Sequence, residues 1–252
     1  MQKVAVTTGY ERLDGPIPLA HAPGKEDLAE KVRSLLAIGA ETLPKLLGVE
    51  PPRIEALLVA DDDWKEAPRE SKHAYPLGLP YFTRSVRPPA LVLPEMLSLV
   101  FRPHTEATYP LAVWHELAHA FLLQRAVVRA SAWLGELIPQ AASVAVARRA
   151  GLPLYKHLSE IDREPEFAIR SLKARASAEE QMAFQNLLLA LGAEAMDEFG
   201  DGFLKELVRA LWEETDVVGE ERAEEIFAIS LGLQGRDWLG SRPEFRGGDG
   251  GR

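Results

Sequence analysis

Residues Tyr109 to Val127 read YPLAVWHELAHAFLLQRAV, with His115, Glu116 and His119 set among apolar side chains. Two histidines four residues apart lie one above the other on the same helical face. A neutral imidazole is a good zinc ligand, and this spacing lets two of them converge on one tetrahedral ion. Glu116 sits one step round the helix, where its carboxylate reaches a water on a metal rather than the metal itself. Leu111, Val113, Trp114, Leu117, Ala118, Phe121 and Leu122 surround the polar trio, and a helix apolar on nearly every face is a buried one. Buried imidazoles and carboxylates need partners. A metal supplies them; carboxylates or backbone carbonyls are the alternative.

Catalytic zinc takes three protein ligands, and the chain has no cysteine to offer. The next candidate is Glu136, in SAWLGELIPQAASVAVARR (131 to 149). The stretch predicts a turn over Ser131 to Gly135 and a helix opened by Glu136, with Pro139 tolerated in its first turn. Running antiparallel to the HELAH helix, it would return Glu136 to the two histidines. The alternative is a solvated first-turn glutamate favoured by the helix dipole.

HELAHAFL followed by WLGEL resembles the gluzincin metallopeptidases, the peptidase MA-like group, whose pattern is HExxH and then WxxEG at the start of the next helix. The tight part of the likeness is Trp114 to Gln140, with a weaker extension from about Ile54 to Trp238. The resemblance implies a zincin-like N-terminal part with a small mixed sheet and an active-site helix. It also implies Zn²⁺ held by His115, His119 and Glu136, with Glu116 as base and acid. Leu137 departs from the glycine after the ligand glutamate. Gln140 stands where many gluzincins place an acid that supports a zinc histidine from outside the ligand sphere. The same likeness makes Leu79 to Thr83 the edge that pairs with a substrate chain, with Leu79, Tyr81 and Thr83 as its contacts; a plain hairpin is the other reading. The family's downstream Tyr or His, which donates to the oxyanion, is not matched: the comparable stretch 182–200 offers Phe184, and Tyr155 and His157 are the substitutes.

Outward from this centre, Lys3 to Thr8 alternates like a short strand, and Leu13 to Gly24 reads as a loop. Leu28, Val32, Leu35, Leu36, Ile38, Leu43 and Leu46 give helical spacing over Glu26 to Leu47, with Pro44 bending or ending it. Ile54 to Ala60 is a strand, followed by a solvated acidic turn at Asp61 to Asp63, which lacks the spacing and glycine of a calcium loop. Gly78 to Arg84 and Ala90 to Leu93 are strands, the first held to an edge by Pro80. A short helix is predicted over Pro94 to Val100 and a loop over Arg102 to Thr108. Beyond Arg149 the chain reads as helical: Glu164 to Ala176, a capping box at Ser177 to Glu180 opening a helix to Leu191, Asp201 to Glu214, and Glu220 to Leu231. The class is α+β, with a 1–130 α/β part, a 131–240 helical part and a flexible 241–252 tail, the metal centre lying between the halves.

The 252 residues give room for one large domain or two small ones, and 46% hydrophobic with 27% charged residues is ordinary for a globular chain. A net charge of −9 argues against general nucleic-acid binding. No run reaches the length of a membrane span, the N-terminus lacks a signal peptide's apolar region, and the absence of cysteine fits a cytoplasmic protein. The expected activity is zinc-dependent hydrolysis of peptide or protein substrates. No GxMEN-like segment for anchoring a free amino terminus is present, which leans towards endopeptidase. The alternative is a catalytically lapsed, zinc-stabilised domain that binds a peptide or protein in the same cleft.

Overall fold

The apolar run EALLV is long enough for one strand and too short for a buried helix. In the computed structural model, which describes residues 9–70, 76–124, 131–161, 169 and 177–245, it forms the middle of a five-stranded sheet. The strands are β1 (Glu11–Leu13), β2 (Leu19–His21), β3 (Glu55–Val59), β4 (Tyr81–Thr83) and β5 (Ala90–Pro94), in the order β1-β2-β3-β5-β4. β2, β3 and β5 run parallel, while β1 and β4 are antiparallel edges. Helix α1 (Glu26–Leu47) connects the parallel neighbours β2 and β3, and the bounds predicted for it agree with the structure. Pro44 is accommodated in its last turn, and Gly48 closes it in the left-handed conformation, donating to the Pro44 carbonyl.

Alternation along the strands divides the apolar residues between two layers. Ala56, Leu58, Leu91 and Leu93 join the main core under the helices, whereas Leu57, Val59, Tyr81, Ala90 and Val92 pack with Trp64 on the opposite face. α2 (Thr108–Leu122), α3 (Ala132–Arg149), α4 (Tyr155–Ser159), α5 (Ala178–Phe199), α6 (Phe203–Glu213), α7 (Glu220–Ser230) and α8 (Gly235–Ser241) follow. The fold is therefore mixed α+β, with the sheet N-terminal and the helices after it.

α2 is buried on most of its surface, as its composition demands. It approaches α1 at Gly39, where an added Cβ would lie 2.6 Å from Leu117 Cδ2, and the Trp114 indole N–H donates to the Leu35 carbonyl at 2.8 Å. α3 packs on α1, α2 and α5. The expected capping box is present at the head of α5: Ser177 Oγ accepts from the Glu180 N–H, and the Glu180 carboxylate accepts from the Ser177 N–H.

Several expectations change. The loop predicted over Leu13 to Gly24 contains β2 and the end of β1, strands of three residues each. The helix predicted over Pro94 to Val100 is absent; Pro94 ends β5 and bends and turns follow. α3 begins at Ala132, so the predicted turn is helix, Glu136 lies in its second turn and Pro139 is interior. One apolar cluster runs from Ile17 to Phe245, across the boundary expected after residue 130. The predicted tail begins ordered: Phe245 is buried, edge-on to Trp133 at 5.3 Å. The strand expected at Lys3 to Thr8 and nearly all of the helix at Glu164 to Ala176 lie outside the described residues. No described helix is long and apolar enough to cross a membrane.

Candidate metal centre

Because α2 and α3 are both pressed into the core, the few polar side chains on their shared face have little choice of neighbour. His115 Nε2 and His119 Nε2 lie 3.1 Å apart, and Glu136 Oε2 is 3.3 Å from each. His115, His119 and Glu136 thus form a group that could hold a metal ion. Tetrahedral bonds of about 2.0–2.2 Å would separate ligand atoms by about 3.3–3.6 Å, close to the triangle these three atoms make. The donor set, two imidazoles and one carboxylate, leaves a fourth position for water or substrate.

The charges around this triangle are strongly coupled. Burial by itself would raise the Glu136 carboxyl, but His119 and His115 outweigh it and hold the group well below the usual carboxylate range. Burial would pull His119 down, but the Glu136 carboxylate reverses this and pushes the imidazole up to about 9. Glu116, whose Oε1 is 3.9 Å from His115 Nε2, is raised by burial, an effect that the two histidines partly oppose. The Phe82 backbone on β4 also opposes that rise. His115 Nδ1 is buried without a hydrogen-bond partner among the described residues, unlike the usual outer partner of a metal-ligating histidine.

Behind Glu136 stands a pair of amides. Gln185 Nε2 on α5 donates to Glu136 Oε2 at 2.8 Å, and Gln140 Nε2 donates to Gln185 Oε1 at 2.6 Å. The sequence expectation placed Gln140 behind a histidine; the structure places it behind the carboxylate, through Gln185. Sequence reasoning missed Gln185, and a neutral residue in mid-helix carries no local signal of such a role.

The triangle and Glu116 line a cleft of about 590 Å³ walled by Leu79, Pro80, Phe82, Val100 and Met182. A smaller chamber of about 110 Å³ shares His115 and Glu116 with this cleft and has Leu111, Leu189 and His157 in its wall. β4 is an edge of the sheet beside the cleft, and of the three expected contacts Leu79 and Tyr81 line it. Leu79 faces the cleft, whereas Thr83 is buried with its hydroxyl donating to Ser85. Tyr81 forms part of the wall, but its ring is turned edge-on to Trp64 at 5.8 Å. The residue of β4 packed toward the helices is Phe82, since neighbours along a strand point to opposite faces.

The two oxyanion candidates also separate. Tyr155 is 87% exposed and lines neither space, so it is removed from the site. His157 is 3% exposed, lines the smaller chamber with His115 and Glu116, and is hydrogen-bonded through Nδ1 to Thr105 Oγ1 at 2.8 Å. Burial lowers its pKa, which keeps the ring neutral. Phe184 is a core residue. The chain matches no protein-family model, and no curated protein matches it.

Proposed function

We propose that the protein is a zinc-dependent peptidase, with His115, His119 and Glu136 as ligands and Glu116 as general base. One observation carries this reading: Glu116 lies beside the ligand triangle and lines one cleft with it and with the edge strand β4. A group that only held a metal would need no buried carboxylate beside it. The gluzincin likeness of Trp114 to Gln140 supports the same assignment.

A bound zinc ion supplies Lewis acidity and makes a water acidic enough to lose its proton near neutral pH. The residues of the chain do the rest. The edge of β4 offers backbone groups on which an extended peptide aligns. Glu116 takes the proton of the attacking water and delivers it to the leaving amine. Burial raises its proton affinity, which brings a carboxylate nearer the ideal for a base at neutral pH. His157, neutral and at the far wall, is the donor available to charge developing on the carbonyl oxygen. A chain without cysteine suits a reducing cytoplasm.

Replacing Glu116 by glutamine tests the reading, since the amide keeps the shape but cannot take a proton. Zinc content is expected to be unchanged and peptide hydrolysis abolished; hydrolysis at the wild-type rate would refute it. A second reading, a zinc-stabilised peptide-binding domain without turnover, is favoured by the withdrawal of Tyr155 from the cleft. It predicts that wild-type and Glu116→Gln proteins bind peptides alike and hydrolyse none.

A further inference from the structure

Phe82 and Leu123 belong to two concavities at once: the metal cleft and a groove of about 380 Å³ that opens from it. Three arginines, Arg53, Arg84 and Arg87, line that groove over a floor that includes Ile54 and Pro89. All three are exposed, and none has an ion-pair partner among the described residues. Glu70 accepts from the Arg84 backbone N–H, and no acidic residue is among the described residues that line the groove. In a chain of net charge −9, three unpaired guanidiniums in one concavity are not an average surface. They make a local positive field in an otherwise negative molecule, and such a field selects anions.

Geometry fixes where such an anion would come from. Phe82 is the β4 residue that packs toward the helices and lines the cleft with Glu116. Arg84 lies two residues further, about 7 Å along an extended backbone. A peptide aligned on this edge therefore brings a residue two or three places from the bond at Glu116 over the groove. We propose that the groove binds a carboxylate of the substrate peptide at that distance, either an Asp or Glu side chain or the chain's own C-terminus. Planar guanidiniums suit this partner, because their forked N–H groups pair bidentately with a carboxylate. The inference rests on the peptidase reading for the position of the peptide.

The test is binding to the full-length Glu116→Gln protein with zinc added, followed by fluorescence anisotropy of labelled short peptides. One peptide carries a Glu pair and an amidated C-terminus, one has Gln in place of Glu, and one has Gln with a free C-terminal carboxylate. At least one carboxylate-bearing peptide is expected to bind about tenfold tighter than the neutral one, the sum of two partly exposed charge pairs. That advantage is expected to shrink with added salt, to disappear in Arg84→Gln/Arg87→Gln and to be retained only in part in Arg84→Lys/Arg87→Lys, which keeps the charge but loses the fork, at unchanged zinc content. Whichever carboxylate peptide gains identifies the source, side chain or chain end. Equal binding of all three, no binding, or an advantage that survives Arg84→Gln/Arg87→Gln overturns the proposal. Hydrolysis of the same peptides by the wild-type protein is read in parallel: a retained preference with no hydrolysis refutes the peptidase reading and leaves the groove standing.

Discussion

Replacing Gln185 by leucine removes, among the described residues, the one side-chain donor on Glu136 that is not itself a candidate ligand. The bond it makes, 2.8 Å to a carboxylate held ionised by two histidines, is charge-assisted. Hydrogen bonds to charged groups contribute about 1.5–3 kcal/mol, and the Glu136 side chain is 29% exposed, which places this one toward the lower end. The accepting atom, Oε2, is also the one 3.3 Å from both imidazoles, so the loss falls on the ligand oxygen directly. Zinc affinity is expected to drop about 10- to 100-fold, the range for removal of an outer partner of a metal ligand. Competition against a chromogenic chelator measures the affinity, and a thermal melt in excess chelator separates it from general destabilisation. Gln140→Leu, which leaves the Gln185 bond to Glu136 in place, is expected to cost less. An affinity for Gln185→Leu within about twofold of wild type, in a protein that melts normally, would refute the role assigned to the amide pair.

Elemental analysis of the purified protein is expected to give about one zinc per chain, lost in His119→Ala; no zinc in either after reconstitution would reduce HELAH to helix packing. The metal-free protein is expected to lose stability at high pH. His119 is pushed up to about 9 in the folded state against about 6.5 unfolded. Its contribution is therefore complete below about pH 6.5 and disappears as pH rises through 9. Glu116, also raised, adds a slope of the same sign, while Glu136, held low, contributes only above the ordinary carboxylate range. Chelator-treated protein should then melt lower at about pH 9.5 than at about pH 6.5, with the gap narrowed in His119→Gln; equal melting would contradict the His119–Glu136 coupling. Gly39→Ala sets a Cβ 2.6 Å from Leu117, an overpacking cost of about 1–3 kcal/mol. It should lower Tm by about 2–10 °C, and an unchanged melt would show that α1 and α2 can part there freely.

The centre was legible because its chemistry is local. His115, Glu116 and His119 need only a helix to meet, and α1 was legible because seven apolar positions repeat at helical spacing over Glu26 to Leu47. What failed to show was short or distant. β1 and β2 are three residues each, too few for alternation to register, and Leu19 to His21 lies among prolines and glycines that read as loop. On β4 the expected contacts Leu79 and Tyr81 line the cleft, while Thr83 is buried and Phe82, out of phase with Tyr81 and Thr83, was not among them. Tyr155 and His157 look equivalent as letters two apart, yet in α4 that spacing sends them to nearly opposite sides, one to solvent and one to the chamber wall. Gln185 is 49 residues from the carboxylate it holds, and only the packing of α5 on α3 brings them together.

The amides behind Glu136 also bear on what this centre does. Glu116 and Glu136 carry two negative charges when ionised, which balance the two positive charges of a divalent ion. The supporting pair, Gln140 and Gln185, adds none. A third carboxylate at position 140, the acid many gluzincins place there, would leave the filled centre net negative. It would raise the electrostatic cost of ionising Glu116, which burial already makes difficult. Neutral amides hold Glu136 through Gln185 without adding to that cost. Gln140, which departs from the gluzincin pattern in sequence, is in this packing compatible with a divalent ion held by His115, His119 and Glu136.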